Sequence, residues 1–131
     1  MRPGPGGRPG GAGRPRSVLR SGLLRAQQVR AAPGWTRIAL IANTALLLGG
    51  DEVRLEVHVG TGARLEVFEV AGTVAYHGRG RPASMTVHAC VADGGELIMA
   101  GEPFVVADGA DVERSLELDV HGTGSALVRE T

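Results

Sequence analysis

Val57-His58-Val59-Gly60-Thr61-Gly62-Ala63-Arg64-Leu65 is the stretch on which the fold turns, because it occurs in recognisable form three times. Ala89-Cys90-Val91-Ala92-Asp93-Gly94-Gly95-Glu96-Leu97 resembles it, and so does Leu118-Asp119-Val120-His121-Gly122-Thr123-Gly124-Ser125-Ala126-Leu127. Each copy reads as a strand, a glycine turn and a returning strand, followed by a longer excursion. The matching glycines Gly62, Gly94 and Gly124 stand 32 and 30 residues apart. Glycine is needed where φ is positive, and Asp93-Gly94 is a standard hairpin pair. Units of this kind stack into sandwiches or solenoid-like sheets.

The flanking residues carry the same message. Val53, Leu55, Val57 and Val59 point one way, and Arg54, Glu56 and His58 the other. Met85, Val87, Ala89 and Val91 repeat this against Thr86, His88 and Cys90. Val112, Leu116, Leu118 and Val120 repeat it against Glu113, Ser115, Glu117 and Asp119. A period of two is that of a half-buried antiparallel strand. Arg37 to Ile41 reads as an earlier strand, and Gly49-Gly50-Asp51 as a turn. Nothing after residue 35 sustains the 3.6-residue period of a helix. The expected fold is therefore all-β: antiparallel strands layered in a sandwich or a β-solenoid-like sheet over residues 35–131. Aromatic residues make up only 3% of the chain, so its core must be built from Val, Leu and Ala. Ala126 to Thr131 reads as a strand still in progress, so the unit is expected to be incomplete at its C-terminal side.

Residues 1–16, MRPGPGGRPGGAGRPR, are nearly all Gly, Pro and Arg and are expected to be disordered, because they hold too little apolar area to offset ordering entropy. Residues 17–34 form an ambiguous lead-in. Ser17 could cap a short helix with Leu19, Leu23 and Leu24 on one side, Gly22 opposes that helix, and Pro33-Gly34 ends the segment. The net charge is zero but unevenly distributed. Residues 1–37 carry eight Arg and no acid, whereas residues 38–131 carry six Arg against fourteen acids, a net of −8. A basic tail thus precedes an acidic body. The tail has no interleaved aromatic residue, so nucleic acid is not an expected partner.

Several chemistries are bounded by the same residues. Cys90, the single cysteine, excludes an intrachain disulfide and a Cys-only zinc site and fits a reducing compartment. The longest apolar run, Ile38 to Leu48, is interrupted by Asn43 and Thr44 and falls short of the roughly 18–20 residues that span a bilayer. A cytoplasmic protein with no membrane partner is expected. Ser84, Ser115 and Ser125 lack a nucleophile elbow, and Gly60-Thr61-Gly62 lacks the lysine of a phosphate loop. The catalytic alternative is a metal-dependent cupin-like β-barrel enzyme, with His58 or His121 as ligand. The four histidines, His58, His77, His88 and His121, are however isolated in sequence and form no His-x-His pair. His88 and Cys90 project from one strand face and could offer nickel or zinc two ligands, which do not make a tight site. Glu69 and Glu102 fall at similar places in successive repeats and could form a carboxylate pair, or simply be solvated strand-end acids. The acidic row Glu113, Glu117 and Asp119 could meet a basic partner. A structural β-solenoid or carbohydrate-binding module is the third reading; Trp35 and Tyr76, the sole Trp and Tyr, do not recur in the repeats.

Ala45-Leu46-Leu47-Leu48-Gly49-Gly50-Asp51-Glu52-Val53, followed by Leu55-Glu56-Val57-His58-Val59-Gly60 and Gly62-Ala63-Arg64-Leu65, resembles the urease accessory protein UreD family, called UreH in some organisms. Ala71-Gly72-Thr73-Val74-Ala75-Tyr76 is similar to the family's Thr-x-x-Tyr segment, and Glu96 to Phe104 to its apolar stretch with a following Glu and Pro. The likeness runs from about Ser17 to Thr131, and the all-Arg, Gly-rich composition matches an actinobacterial type. Family members continue well beyond this point. The resemblance implies an all-β helicoid fold, no enzymatic activity and no tightly bound cofactor. It implies a cytoplasmic chaperone that joins UreF and the GTPase UreG on apo-urease (UreABC), with nickel in transit through an internal passage. Glu56, Glu69, His88 and Glu102 are the polar, strand-borne residues singled out for that nickel path.

Overall fold

The computed structural model describes residues 24–29, 33–42 and 46–131. Residues 1–16, expected to be a disordered tail, lie outside the described residues, as does most of the lead-in. Ten strands occur among the described residues, and no helix. They are β1 (Leu24–Val29), β2 (Thr36–Ala42), β3 (Glu52–Val59), β4 (Arg64–Glu69), β5 (Thr73–Ala75), β6 (Ala83–Val91), β7 (Glu96–Ala100), β8 (Phe104–Val106), β9 (Val112–Val120) and β10 (Ser125–Arg129).

The strands wind into coils. β3, β6 and β9 form one sheet, β4 and β7 lie between β2 and β10 in a second, and β5 and β8 make a third, short one. The chain visits these sheets in the same order on each circuit, β3-β4-β5 and then β6-β7-β8, with β9 and β10 opening the next. The solenoid-like, all-β expectation is met. The antiparallel one needs correction: among the described residues only β1 and β2 pair antiparallel, and every strand pairing between successive coils is parallel.

The reason lies in the glycine turns, which are corners and not hairpins. Leu55, Val57 and Val59 before the first turn join Ala63, Leu65 and Val67 after it in one buried cluster. In a hairpin those side chains would lie on the same face of one sheet. Here β3 and β4 belong to different sheets and meet face to face, so each strand finds its hydrogen-bonding neighbours in the coils beside it. A cupin-type enzyme would be a closed jelly-roll sandwich; these sheets are open and paired in parallel.

Register then follows from coil length. Glu52 pairs with Ser84 and Arg64 with Glu96, an advance of 32 residues. Ala83 pairs with Val112 and Glu96 with Ser125, an advance of 29. Gly124 therefore aligns with Gly95 rather than Gly94, and the positive-φ glycine of the third turn is Gly122, at 55°. Asp93 ties this turn to the one below it. Its Oδ1 accepts hydrogen bonds from the Thr123 backbone N–H at 2.8 Å and the Thr123 hydroxyl at 2.9 Å. The bond from the backbone, then that from the hydroxyl, holds the Asp93 carboxyl below its usual range.

This turn yields a discriminating prediction. Gly62 and Gly122 both have positive φ, yet a methyl group at Gly62 meets nothing within 4 Å, while one at Gly122 would lie 2.2 Å from Asp93 Oδ1. Gly62→Ala should cost about 1 kcal/mol for the left-handed backbone alone. Gly122→Ala should cost clearly more, because it also displaces the Asp93 carboxylate from Thr123. Urea denaturation of the two variants side by side checks the order.

The core is the thin Val, Leu and Ala layer anticipated from composition. It divides into a main cluster that includes Leu55, Val57, Leu65, Val91 and Leu97, and a second that includes Leu24, Leu47, Val53 and Met85. In the lead-in, Leu24–Val29 is a strand and not a helical turn. Leu24 is buried and Ala26 packs on the main cluster, while β2 offers an open edge along its whole length. A paired edge outweighs a marginal helix propensity. The outer face of the larger sheet carries in-register ion pairs, Arg37 Nε to Glu66 Oε2 at 2.7 Å and Arg64 Nε to Glu96 Oε2 at 2.9 Å. Such partly exposed pairs contribute little to stability individually.

Candidate functional site

Parallel, in-register stacking turns the outward residues of β3, β6 and β9 into rows. Glu56, His88 and Glu117 form one row, and His58, Cys90 and Asp119 the next. Neighbouring strands lie about 4.8 Å apart, so side chains in adjacent rows reach one another. His88, on the middle strand, is the hub. Its Nδ1 lies 3.0 Å from Glu56 Oε2, and its Nε2 lies 2.9 Å from Asp119 Oδ2. Cys90 Sγ lies 3.5 Å from His88 Nε2 and 3.8 Å from Asp119 Oδ2. His58 Nε2 stands 3.4 Å from the same Glu56 oxygen, and the two imidazole rings meet edge to face at 6.4 Å.

The charges of this cluster shape its titration. Hydrogen bonds to Asp119 and then Glu56 push His88 above its ordinary value. The reciprocal bond from His88 is the main cause that lowers both Glu56 and Asp119. Cys90 is pushed up, first by burial and then by the Asp119 and Glu56 carboxylates.

Of the four residues singled out in the sequence, Glu56 and His88 come together here. Glu69 and Glu102 lie elsewhere, where β4 and β7 end. Glu69 Oε1 accepts the Glu102 backbone N–H at 3.0 Å, and its Oε2 accepts the Thr73 hydroxyl at 3.3 Å. The link between the two acids is thus a main-chain amide to a carboxylate. Glu69 also lines a cavity of about 60 Å³ between the sheets, whose walls include Leu55, Val67, Val87 and Met99 and whose polar groups include Arg114 and Arg129. Partial burial pushes the Glu69 carboxyl up, against the lowering effect of its two hydrogen bonds.

The pH consequence has a definite sign. A folded-state pKa raised above the unfolded value of 4.5 means that Glu69 favours the fold when protonated, and that this contribution is lost as pH rises through the folded pKa. At pH 7 the ionised side chain opposes folding. Gln is neutral and retains an acceptor for the Glu102 amide. Glu69→Gln should therefore raise Tm at pH 7, and the gain should disappear near pH 4, where Glu69 itself is largely protonated. Thermal melts across that range test it.

Asp119 escaped the sequence reading as a partner of His88 and Cys90. The signal that could have found it is the 29-residue coil, which places Asp119 beside Cys90. Of the acidic row, Glu113 and Glu117 are exposed, and Asp119 is engaged by His88.

A family model described as UreD urease accessory protein matches residues 7–131, nearly the whole chain. The chain belongs to the UreD family. The urease accessory protein UreD of Frankia alni is 43% identical over 118 residues, covering 87% of this chain and 40% of that protein. UreD 1 of Streptomyces griseus is 45% identical over 95 residues, covering 72% of this chain and 37% of the relative. UreD of Rhodopseudomonas palustris is 32% identical over 94 residues, covering 71% and 34%. The chain thus spans at most about two fifths of the length of these UreD proteins. Among the described residues, no helix of this UreD-family chain is long and apolar enough to cross a membrane.

Proposed function

We propose that the chain serves urease maturation as a non-catalytic accessory protein of the cytoplasm, holding UreF and the GTPase UreG on apo-urease while nickel is inserted. Nickel is cargo in transit on this reading, and no cofactor is tightly held. The observation that carries it is the UreD match over residues 7–131. Stacked coils also suit the task physically. A solenoid offers broad, rigid faces on which partners can be arranged side by side. Of the four residues singled out, Glu69 is the best placed to serve a nickel path, because it borders the cavity between the sheets; Glu102 lies next to it, and Glu56 and His88 belong to the outer face.

The test is a chimera. Residues 7–131 replace the matching segment of the Frankia alni relative, and the chimera is expressed with urease, UreF and UreG in cells lacking their own UreD. Urease from these cells should contain nickel and be active, and UreF should co-purify with the chimera. A soluble, folded chimera that neither retains UreF nor yields nickel-loaded urease defeats the reading.

A further inference from the structure

The outer face of the β3-β6-β9 sheet carries a donor set that the maturation reading does not use. His88 Nε2, Cys90 Sγ and an Asp119 carboxylate oxygen all lie within 4.8 Å of one another. The three edges of that triangle are 2.9, 3.5 and 3.8 Å. For a tetrahedral Zn²⁺ with ligands at about 2.0–2.1 Å for nitrogen, 2.0–2.2 Å for oxygen and 2.3 Å for sulfur, the ligand–ligand edges are about 3.4–3.6 Å. The observed triangle needs only side-chain shifts of a few tenths of an ångström, and the Asp119 side chain, more than half exposed, is free to make them.

A second observation points the same way. The Nδ1 atom of His88 is held by Glu56 Oε2, which His58 also approaches. A carboxylate on one imidazole nitrogen fixes a proton there, so that the other nitrogen is the one that loses its proton to bind an ion, the usual support of a metal-bound histidine. The nitrogen that would take the ion is Nε2, which faces Cys90 and Asp119 and would give up the proton it shares with Asp119 on binding. Register-locked neighbouring strands hold all these groups, so little ordering remains to be done on binding. A thiolate, an imidazole and one carboxylate favour a borderline-soft ion over Mg²⁺ or Ca²⁺.

We propose that His88 Nε2, Cys90 Sγ and the Asp119 carboxylate form a surface site for one divalent transition-metal ion of the zinc class, bound tetrahedrally with water in the fourth position, with Glu56 holding the His88 ring in place. The site is independent of the maturation reading, because metal uptake is measured on the isolated chain without urease.

Co²⁺ is the probe. The untagged, reduced, chelator-stripped 131-residue chain is titrated with it and followed by absorption. One equivalent should bind, giving a thiolate-to-cobalt charge-transfer band and the strong d–d bands of tetrahedral Co²⁺, and Zn²⁺ but not Mg²⁺ should bleach both. Cys90 is the sole cysteine, so the charge-transfer band reports this site alone. His88→Ala and Asp119→Ala should weaken binding at least about 100-fold, and Glu56→Gln about 10-fold. Cys90→Ser should remove the band, and His77→Ala should leave affinity unchanged. None of the substituted side chains is buried in the core, so the variants should keep the parent circular dichroism spectrum. No charge-transfer band in the folded parent chain, or a band that survives both His88→Ala and Asp119→Ala, overturns the proposal.

Discussion

Val91→Asp should abolish the cooperative unfolding transition of the chain. Val91 is 0% exposed in the main core cluster, and no polar or charged residue is buried among the described residues. An unpaired carboxylate placed there costs several kcal/mol even after relaxation. A domain of this size has only about 5–15 kcal/mol in total. Val120 is the informative control. It stands beside Val91 in the parallel register, on the same face of the next strand, but is 43% exposed. Val120→Asp keeps its charge in contact with water and should leave a folded chain with a lower Tm. Circular dichroism melts of the two variants decide the matter. Equal damage at both positions would contradict the burial order that stacking imposes on that row.

Leu97→Ala carries the next largest effect, a loss of about 3 kcal/mol within the usual 2–5 for a buried leucine. Leu97 is 1% exposed and is among the largest fully buried side chains. It lies beside Leu65 in the larger sheet and shares the main cluster with Val59 and Val91 across the layer. The layer is made of short side chains on stiff, paired strands, so it can collapse only partly into the gap. Leu127 gives the contrast. It lies on β10 opposite Ile98 and is 66% exposed. Leu127→Ala should change stability by no more than about 0.5 kcal/mol. Urea midpoints for the pair measure the difference directly.

Much of the strand pattern was legible because side-chain direction has a strict period of two. The alternation in Val53 to Val59, Met85 to Val91 and Val112 to Val120 named β3, β6 and β9 and the buried faces of β3 and β6; on β9 the matching Leu118 and Val120 are exposed. It could not name their neighbours. A strand, a glycine turn and a second strand read the same as a hairpin or as a corner between sheets, since both need the same turn chemistry. The one-residue misalignment of Gly124 has a related cause. The three turns place their positive-φ residue at different positions, Gly62 and Gly94 third in the turn but Gly122 second, so matching glycine to glycine misjudges the coil by one residue.

The candidate metal cluster was half visible for the same reason. His88 and Cys90 share a strand face, and a period of two is enough to show it. Glu56 and Asp119 lie 32 and 31 residues from His88 in the chain, and only the pairing of three parallel strands brings them within hydrogen-bond reach. Glu69 and Glu102 show the opposite case. Similar places in successive repeats suggested facing carboxylates, but the Glu102 amide, not its side chain, is what meets Glu69.

Local chemistry alone therefore determined that this chain is all-β, which side chains of its main strands turn inward, that its core is a thin aliphatic layer, and which family it resembles. These follow from composition, from two-residue periodicity and from turn residues, all of which act over a few positions. Only the tertiary structure decided that the glycine turns are corners, that the coils pair in parallel with advances of 32 and 29 residues, and that His88 sits between Glu56 and Asp119 with Cys90 at hand. Those outcomes depend on which distant strand satisfies each backbone edge. That choice is made by burying the inward faces of β3 and β4 against each other, an interaction between whole sheets that no short stretch of sequence contains.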